Sequence, residues 1–188
     1  MSINKITRIY DILISFTILI IFSPIFIFVF IACLIESKRP IFIQQRVGKN
    51  QIPFNLIKFR TMKISTPSLA SHLVRKESIT RFGRIIRALK IDELPQLINV
   101  IKGDMSLVGP RPCLFNQIEL ISLREGANVF LVKPGITGLA QVKGIDMSNP
   151  TKLALTDSYM ISKYNQINYF KYLFLTLFGR GIGDKIKY

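Results

Sequence analysis

One stretch limits what this chain can fold into more than any other. From Ile12 to Ile35 it is apolar except at Ser15, Thr17, Ser23 and Pro24. At ~1.5 Å per residue, roughly 24 helical residues reach about 36 Å, enough to cross a ~30 Å hydrocarbon layer. The segment is apolar on every face, unlike a core helix of a water-soluble protein. It is also too long for a signal peptide and lacks a small-residue cleavage site. Two membrane readings follow, a single span and a re-entrant helix that enters and leaves by one face. Pro24 has no N–H, so the carbonyl of Ile20 loses its helical partner and the ring forces a kink. Ser23 is expected to bond back to a nearby carbonyl and deepen the bend. Broken there, each arm of about 12 residues reaches ~18 Å, roughly one leaflet. Lys5 and Arg8 precede the run, and Lys38 and Arg39 follow it. Positive charge at both ends orients no span, but suits two ends on the cytoplasmic side. The residues alone leave both readings open.

The 188 residues suffice for one domain, and an apolar content of 49% excludes a disordered chain. The formal charge of +15 suits nucleic acid, an anionic lipid surface or a phosphorylated substrate, and does not choose among them. Cys33 and Cys113 make no disulfide framework. With His72 as the one histidine, no zinc-ligand spacing exists.

Pro40–Arg46 and Pro53–Met62 read as short strands around a Gly48-Lys49-Asn50 turn, and 63–72 as a loop. Ser78–Lys90 reads as an amphipathic helix with Ile79, Phe82, Ile85, Ile86 and Leu89 on its apolar face. Its stripe of Arg81, Arg84 and Arg87 is most simply a solvated face. Asp92 is placed to cap a helix from Glu93 to Ile101, with Pro95 in the first turn. Leu107–Pro112 and Pro134–Gly138 read as irregular turns. Thr151–Lys163 reads as a helix, and Asn168–Phe178 as a helix lying in the membrane interface.

The adjacent carboxylates Asp92 and Glu93 sit at a helix N-terminus, where unpaired N–H groups attract anions and phosphates. Arg81, Arg84, Arg87 and Lys90 lead into them. Such a pair among cations suits a divalent metal plus a nucleophile toward phosphorus. An Asp cap followed by a first-turn Glu is equally ordinary helix grammar. Lys58 and Arg60 alternate with Phe59 and share a strand face, while Arg111 is held stiffly between two prolines. Gly179-x-Gly181-x-Gly183 has no preceding strand and is discounted as a phosphate loop.

Taken in order, these pieces resemble the small monotopic phosphoglycosyl transferases of the bacterial sugar transferase family. The likeness runs from Arg8-x-x-Asp11 and Ser23-Pro24 through Pro40-Ile41-Phe42, Gln45-Arg46-x-Gly48 and Lys58-Phe59-Arg60-Thr61-Met62. Its most specific stretch is Ile91-Asp92-Glu93-Leu94-Pro95-Gln96-Leu97. Asn99-Val100, Lys102-Gly103-Asp104-Met105-Ser106 and Val108-Gly109-Pro110-Arg111-Pro112 follow, and Pro134 to Val142 (PGITGLAQV) closes the set.

The resemblance implies an α+β, mostly helical chain. Residues 1–39 would form a re-entrant helix kinked at Ser23-Pro24. Residues 40–188 would form a cytoplasmic catalytic part with a small β-hairpin and interfacial helices, the two making one integrated domain. Asp92 would attack the β-phosphate of a UDP-sugar, release UMP and pass the phosphosugar to a polyprenol (undecaprenyl) phosphate. Glu93 would help hold Mg²⁺, with Asp157 as a second acidic ligand, and Lys58, Arg60, Arg87, Arg111 and Gln141 would bind substrate. The setting would be the cytoplasmic face of a bacterial inner membrane, with membrane lipids but no nucleic acid as partners and both termini cytoplasmic. The larger relatives' extra transmembrane bundle is absent, so the chain resembles the catalytic unit alone. Two positions depart from the pattern: Ile145 follows Gly144 where Arg is common, and Met160 stands where a second Tyr is common, which bears on sugar or uridine contacts. The competing class is an inert membrane protein that binds polyprenyl phosphates or anionic lipid. Neither the sugar nor the oligomeric state follows from the sequence.

Overall fold

The structure, a computed structural model, describes residues 2–66 and 76–178. His72, part of the loop expected over 63–72, and the Gly179, Gly181 and Gly183 motif lie outside the described residues. The apolar run folds as two helices, α1 (Ser2–Ile21) and α2 (Ser23–Ser37). No single described helix is long and apolar enough to cross a membrane, but 6–21 and 23–37 together meet that test while bent by 67°. Phe22 is the hinge, with φ −92° and ψ 9°, and Pro24 falls in the first turn of α2, where its missing N–H costs nothing. Ser23 differs from expectation: it is exposed and makes no side-chain hydrogen bond. The proline and the Phe22 backbone make the break without it.

Both helices leave large apolar side chains bare, among them Leu13, Phe16, Ile20 and Ile21 on α1 and Ile27, Phe28, Ile31 and Ile35 on α2. A continuous apolar surface of this kind marks a membrane- or partner-facing side. The opposite sides are covered. Tyr10, Ile14 and Ile18 of α1 pack on a core of Leu56, Leu97, Val100, Met105, Leu107, Val108, Met160, Tyr169 and Tyr172. Val29 and Cys33 of α2 pack with Phe59 and Ile86.

The hairpin forms as read, β1 (Ile41–Val47) antiparallel to β2 (Pro53–Phe59), with Ile41 opposite Phe59 and Val47 opposite Pro53. Asn50 and Gln51 turn the chain at positive φ. Helix α3 is shorter than expected, Arg81–Ala88, because the Thr80 hydroxyl accepts from the N–H of Gly83 and fixes the start. Gly83 is required there, since a Cβ would lie 2.3 Å from the carbonyl oxygen of Thr61. Its apolar face is split: Ile86 is buried, whereas Ile85 and Leu89 are exposed. Helix α4 (Gln96–Lys102) ends on Gly103 at φ 98°.

The two segments read as irregular turns instead contribute strands. β3 (Ser106–Val108) pairs in parallel with β4 (Gly135–Thr137). The approach is close enough that a Cβ on Gly135 would sit 2.0 Å from the N of Gly109. Gly135→Ala is therefore expected to destabilise the chain by about 3 kcal/mol or more, as overpacking of a closed contact does. Thermal unfolding of the variant checks this, and an unchanged midpoint would show that the two loops are not locked together. The remaining elements are α5 (Ile118–Gly126), α6 (Leu139–Val142), α7 (Pro150–Ser162) and α8 (Gln166–Leu177). Helix α7 is capped by the Asn149 side chain. Helix α8 buries Tyr169 and Tyr172 while exposing Ile167, Phe170, Phe174 and Leu177, an amphipathic arrangement that suits a membrane interface.

The long polar contacts of α1 tie the apolar helices to this body. Arg8 donates to the carbonyls of Val100 and Ile101 at the C-terminal end of α4, where a cation is favoured. Asp11 is buried and accepts from the Ser106 hydroxyl at 3.0 Å, the Leu107 N–H at 2.9 Å and the Tyr169 hydroxyl at 2.9 Å.

Candidate active site

Asp92 and Glu93 lie in a 3-10 turn, Ile91–Glu93, between α3 and α4. Asp92 is thus inside a turn and does not cap α4, whose N-cap is Pro95. Lys90 is at φ 57°, and this left-handed residue ends the α3 segment and redirects the chain. Ile91 and Leu94, on either side of the dyad, pack against the Val29, Cys33, Phe59 and Ile86 cluster. The turn that carries the two carboxylates is therefore anchored to a cluster that α2 shares with β2 and α3. Asp92 is mostly buried and lies within electrostatic reach of the Cys33 thiol on α2.

Glu93 collects two of the expected cations. Its Oε1 accepts from Lys58 Nζ at 3.4 Å and from Arg111 at 3.1 Å, with all three side chains largely but not fully buried. Arg87, in the last turn of α3, donates to the hydroxyl of the buried Thr61 at 3.4 Å. Arg60 is engaged elsewhere. It donates to the carbonyls of Arg39 and Ile41, and its guanidinium carbon lies 5.3 Å from the Phe42 ring centre. It joins the strand to the end of α2. Lys58 and Arg60 thus serve different contacts despite sharing a strand face.

The Arg111 loop is held by its carbonyls, because Pro110 and Pro112 have no N–H to give. Five consecutive carbonyls each accept a hydrogen bond from a different residue. Gly109 accepts from Gln141, Pro110 from the Gly135 N–H, Arg111 from Arg124, Pro112 from Arg46 and Cys113 from the Val47 N–H. Gln141 therefore acts on the loop in this structure, and its Oε1 is buried without a partner.

Asp157 is not brought to the dyad. It is fully buried, and its Oδ2 accepts from Arg124 Nη2 at 2.6 Å and Nε at 3.1 Å. Burial pushes its carboxyl up and the Arg124 guanidinium pulls it back. Among the described residues no three acidic, His or Cys side chains form a metal-ligand cluster. Mg²⁺ is usually held by one or two carboxylates together with substrate phosphates and water. The adjacent Asp92 and Glu93 fit that kind of site. They do not fit a cage that needs Asp157. The two departures from the family pattern are core positions: Met160 is buried, with its sulfur accepting the Leu139 N–H, and Ile145 packs beside Val47, Cys113 and Leu153.

Sequence reading missed Thr61, Arg46 and Arg124 as site-building residues. Thr61 and Arg46 lay in stretches noted for their resemblance, whereas Arg124 had no local signal.

The bacterial sugar transferase family model matches residues 3–180. An uncharacterized sugar transferase of Bacillus subtilis is 38% identical over 171 residues, covering 90% of this chain and 84% of that protein. The UDP-glucose:undecaprenyl-phosphate glucose-1-phosphate transferase of Caulobacter vibrioides is 41% identical over 143 residues, 73% of this chain and 54% of its own length. The undecaprenyl-phosphate galactose phosphotransferase of Salmonella typhimurium is 34% identical over 187 residues, 90% of this chain and 39% of its own. The chain thus spans about two fifths to a half of some of these relatives, and most of the Bacillus protein. It belongs to the bacterial sugar transferase family, a family of phosphoglycosyl transferases.

Proposed function

We propose that this chain transfers a phosphosugar from a UDP-sugar to undecaprenyl phosphate, at the cytoplasmic face of a bacterial inner membrane and as an early step of surface glycan assembly. The observation that supports it most is the Asp92-Glu93 turn, packed on the cluster shared by α2, β2 and α3 and flanked by Lys58 and Arg111. Relatives named for undecaprenyl-phosphate sugar transfer point the same way. In the first half-reaction an Asp92 carboxylate oxygen bonds to the β-phosphorus as the bond from that phosphorus to the UMP oxygen breaks. UMP departs with the electron pair. In the second, a phosphate oxygen of the polyprenol phosphate bonds to the same phosphorus and Asp92 leaves as carboxylate. Splitting the reaction lets a water-soluble donor and a lipid acceptor use one site in turn.

Arg111 and Lys58 neutralise phosphate oxygens that a carboxylate would otherwise repel. Arg87, which donates to Thr61, would be a further phosphate-binding cation. Glu93 would help hold Mg²⁺ together with the donor's phosphates while Asp92 attacks, and the ion would supply charge stabilisation to the leaving UMP. The exposed apolar faces of α1, α2 and α8 and the 67° bend between α1 and α2 support a re-entrant reading, in which the dyad would lie near the depth of a lipid phosphate. The test is UMP release by the full chain in nanodiscs, given Mg²⁺, undecaprenyl phosphate and UDP-glucose, UDP-galactose or UDP-N-acetylgalactosamine in turn. UMP together with a lipid-linked diphosphate sugar is expected from at least one donor. Release of UDP instead would mean glycosyl transfer, and lipid binding without turnover would mean an inert lipid-binding protein.

A further inference from the structure

We infer that Arg124 is a positioning residue that sets the direction of Arg111 from behind the site, with Asp157 as its clamp. The inference rests on the transfer reading above. Arg124 stands in the last turn of α5 and is 1% exposed; Asp157, on α7, is 0% exposed. A buried cation this far from water needs a reason in its contacts. Three N–H groups of one guanidinium are used: Nε and Nη2 on Asp157 Oδ2, and Nη1 on the carbonyl of Arg111 at 2.9 Å. The planar fork fixes the directions of its bonds to the carboxylate and the carbonyl, whereas an ammonium is a compact charge with rotatable donors.

That carbonyl belongs to the residue whose side chain meets Glu93 at 3.1 Å. With prolines on both sides, Arg111 has little conformational freedom of its own, and fixing its peptide fixes where its guanidinium starts. Asp157 Oδ1 has no hydrogen-bond partner, so the carboxylate depends on Arg124 for its compensation. The packing of α5 against α7 is thereby coupled to the aim of a phosphate-facing arginine. Asp157 affects the reaction from behind the loop and without joining the ligands of a metal.

Arg124→Lys keeps the charge and removes the fork. Two readouts on the full chain in nanodiscs test it. The first is hydrogen exchange at the amides of Gly109, Arg111, Cys113 and Leu114, which needs no reaction. It is expected to speed up about tenfold, while α1 and α4 exchange as before. The second is UMP release from the three UDP-sugars above, expected to fall about tenfold. Added to Arg111→Ala, Arg124→Lys is expected to cost no more than twofold further, because it acts through the side chain already removed. Asp157→Asn, which preserves shape, is expected to loosen the same amides and decides the matter if the lysine variant does not fold. Unchanged loop exchange in the variant that folds, or losses from Arg124→Lys and Arg111→Ala that multiply, would overturn the inference. A wild-type chain that releases no UMP from any donor would overturn the transfer reading instead, and loop exchange would still decide whether Arg124 holds Arg111.

Discussion

Asp92→Asn is expected to cut UMP release by roughly 10³-fold or more, while leaving the fold intact. Asparagine has the same shape and is readily accommodated in a turn, but its amide is a far poorer nucleophile toward phosphorus. The side chain is mostly buried, and Ile91 and Leu94 on either side pack on the Val29, Cys33, Phe59 and Ile86 cluster, so a neutral isostere disturbs little around it. Glu93→Gln is expected to cost less, because it weakens the anchoring of Lys58 and Arg111 without removing the attacking group. Initial rates with a saturating UDP-sugar, alongside thermal unfolding of each variant, separate chemistry from folding. Wild-type UMP release by the asparagine variant would remove Asp92 as nucleophile.

The largest effect expected on stability comes from the other end of the chain. Asp11→Leu strands three donors at once: the Ser106 hydroxyl, the Leu107 N–H and the Tyr169 hydroxyl. Serine can rotate to another acceptor, but the buried peptide and phenol cannot easily do so. At about 1–3 kcal/mol for each buried group left unpaired, the loss is about 3–5 kcal/mol. Since about 1 kcal/mol moves the midpoint of a chain this size by roughly 2–4 °C, a fall of about 10 °C is expected. Asp11→Asn should cost less, because its amide oxygen still accepts from Leu107. The same bonds join α1 to β3 and α8, so losing them should also free the apolar pair from the catalytic body, seen as faster proteolysis in 2–37. A midpoint within a degree or two of wild type would show that Asp11 does not tie them.

How much of this was readable depends on how local the cause is. The break in the apolar run follows from one proline, and the structure bends there, although Phe22 and not a Ser23 bond completes the hinge. The hairpin, α7 and α8 follow from turn residues and periodicity within single segments. The parallel β3–β4 pair was not readable: each strand has three residues, and its partner is a distant segment brought close by Gly109 and Gly135. The apolar side of α3 also misled, because periodicity marks Ile85 and Leu89 as buried without saying whether protein or lipid covers them.

The dyad itself was legible, but its setting was not. An Asp before a helical run looks like a cap, whereas the left-handed Lys90 turns it into a tighter, separate bend. Lys58 and Arg111, expected to bind substrate, pair with Glu93 in the structure, while Arg60 serves backbone carbonyls whose positions no pattern encodes. Arg124 reads in sequence as one more solvated cation. Only the folding of α7 against α5 brings Asp157 to it and takes both out of water.

The most direct measurement is to supply the chain in nanodiscs with UDP-glucose, UDP-galactose or UDP-N-acetylgalactosamine and no lipid acceptor, quench in acid, and analyse the digest by mass. A sugar-phosphate adduct on the peptide bearing Asp92, absent from the Asp92→Asn variant and cleared when undecaprenyl phosphate is added, is the predicted result. Steady formation of UMP and lipid-linked product with Asp92 never modified would contradict the covalent route.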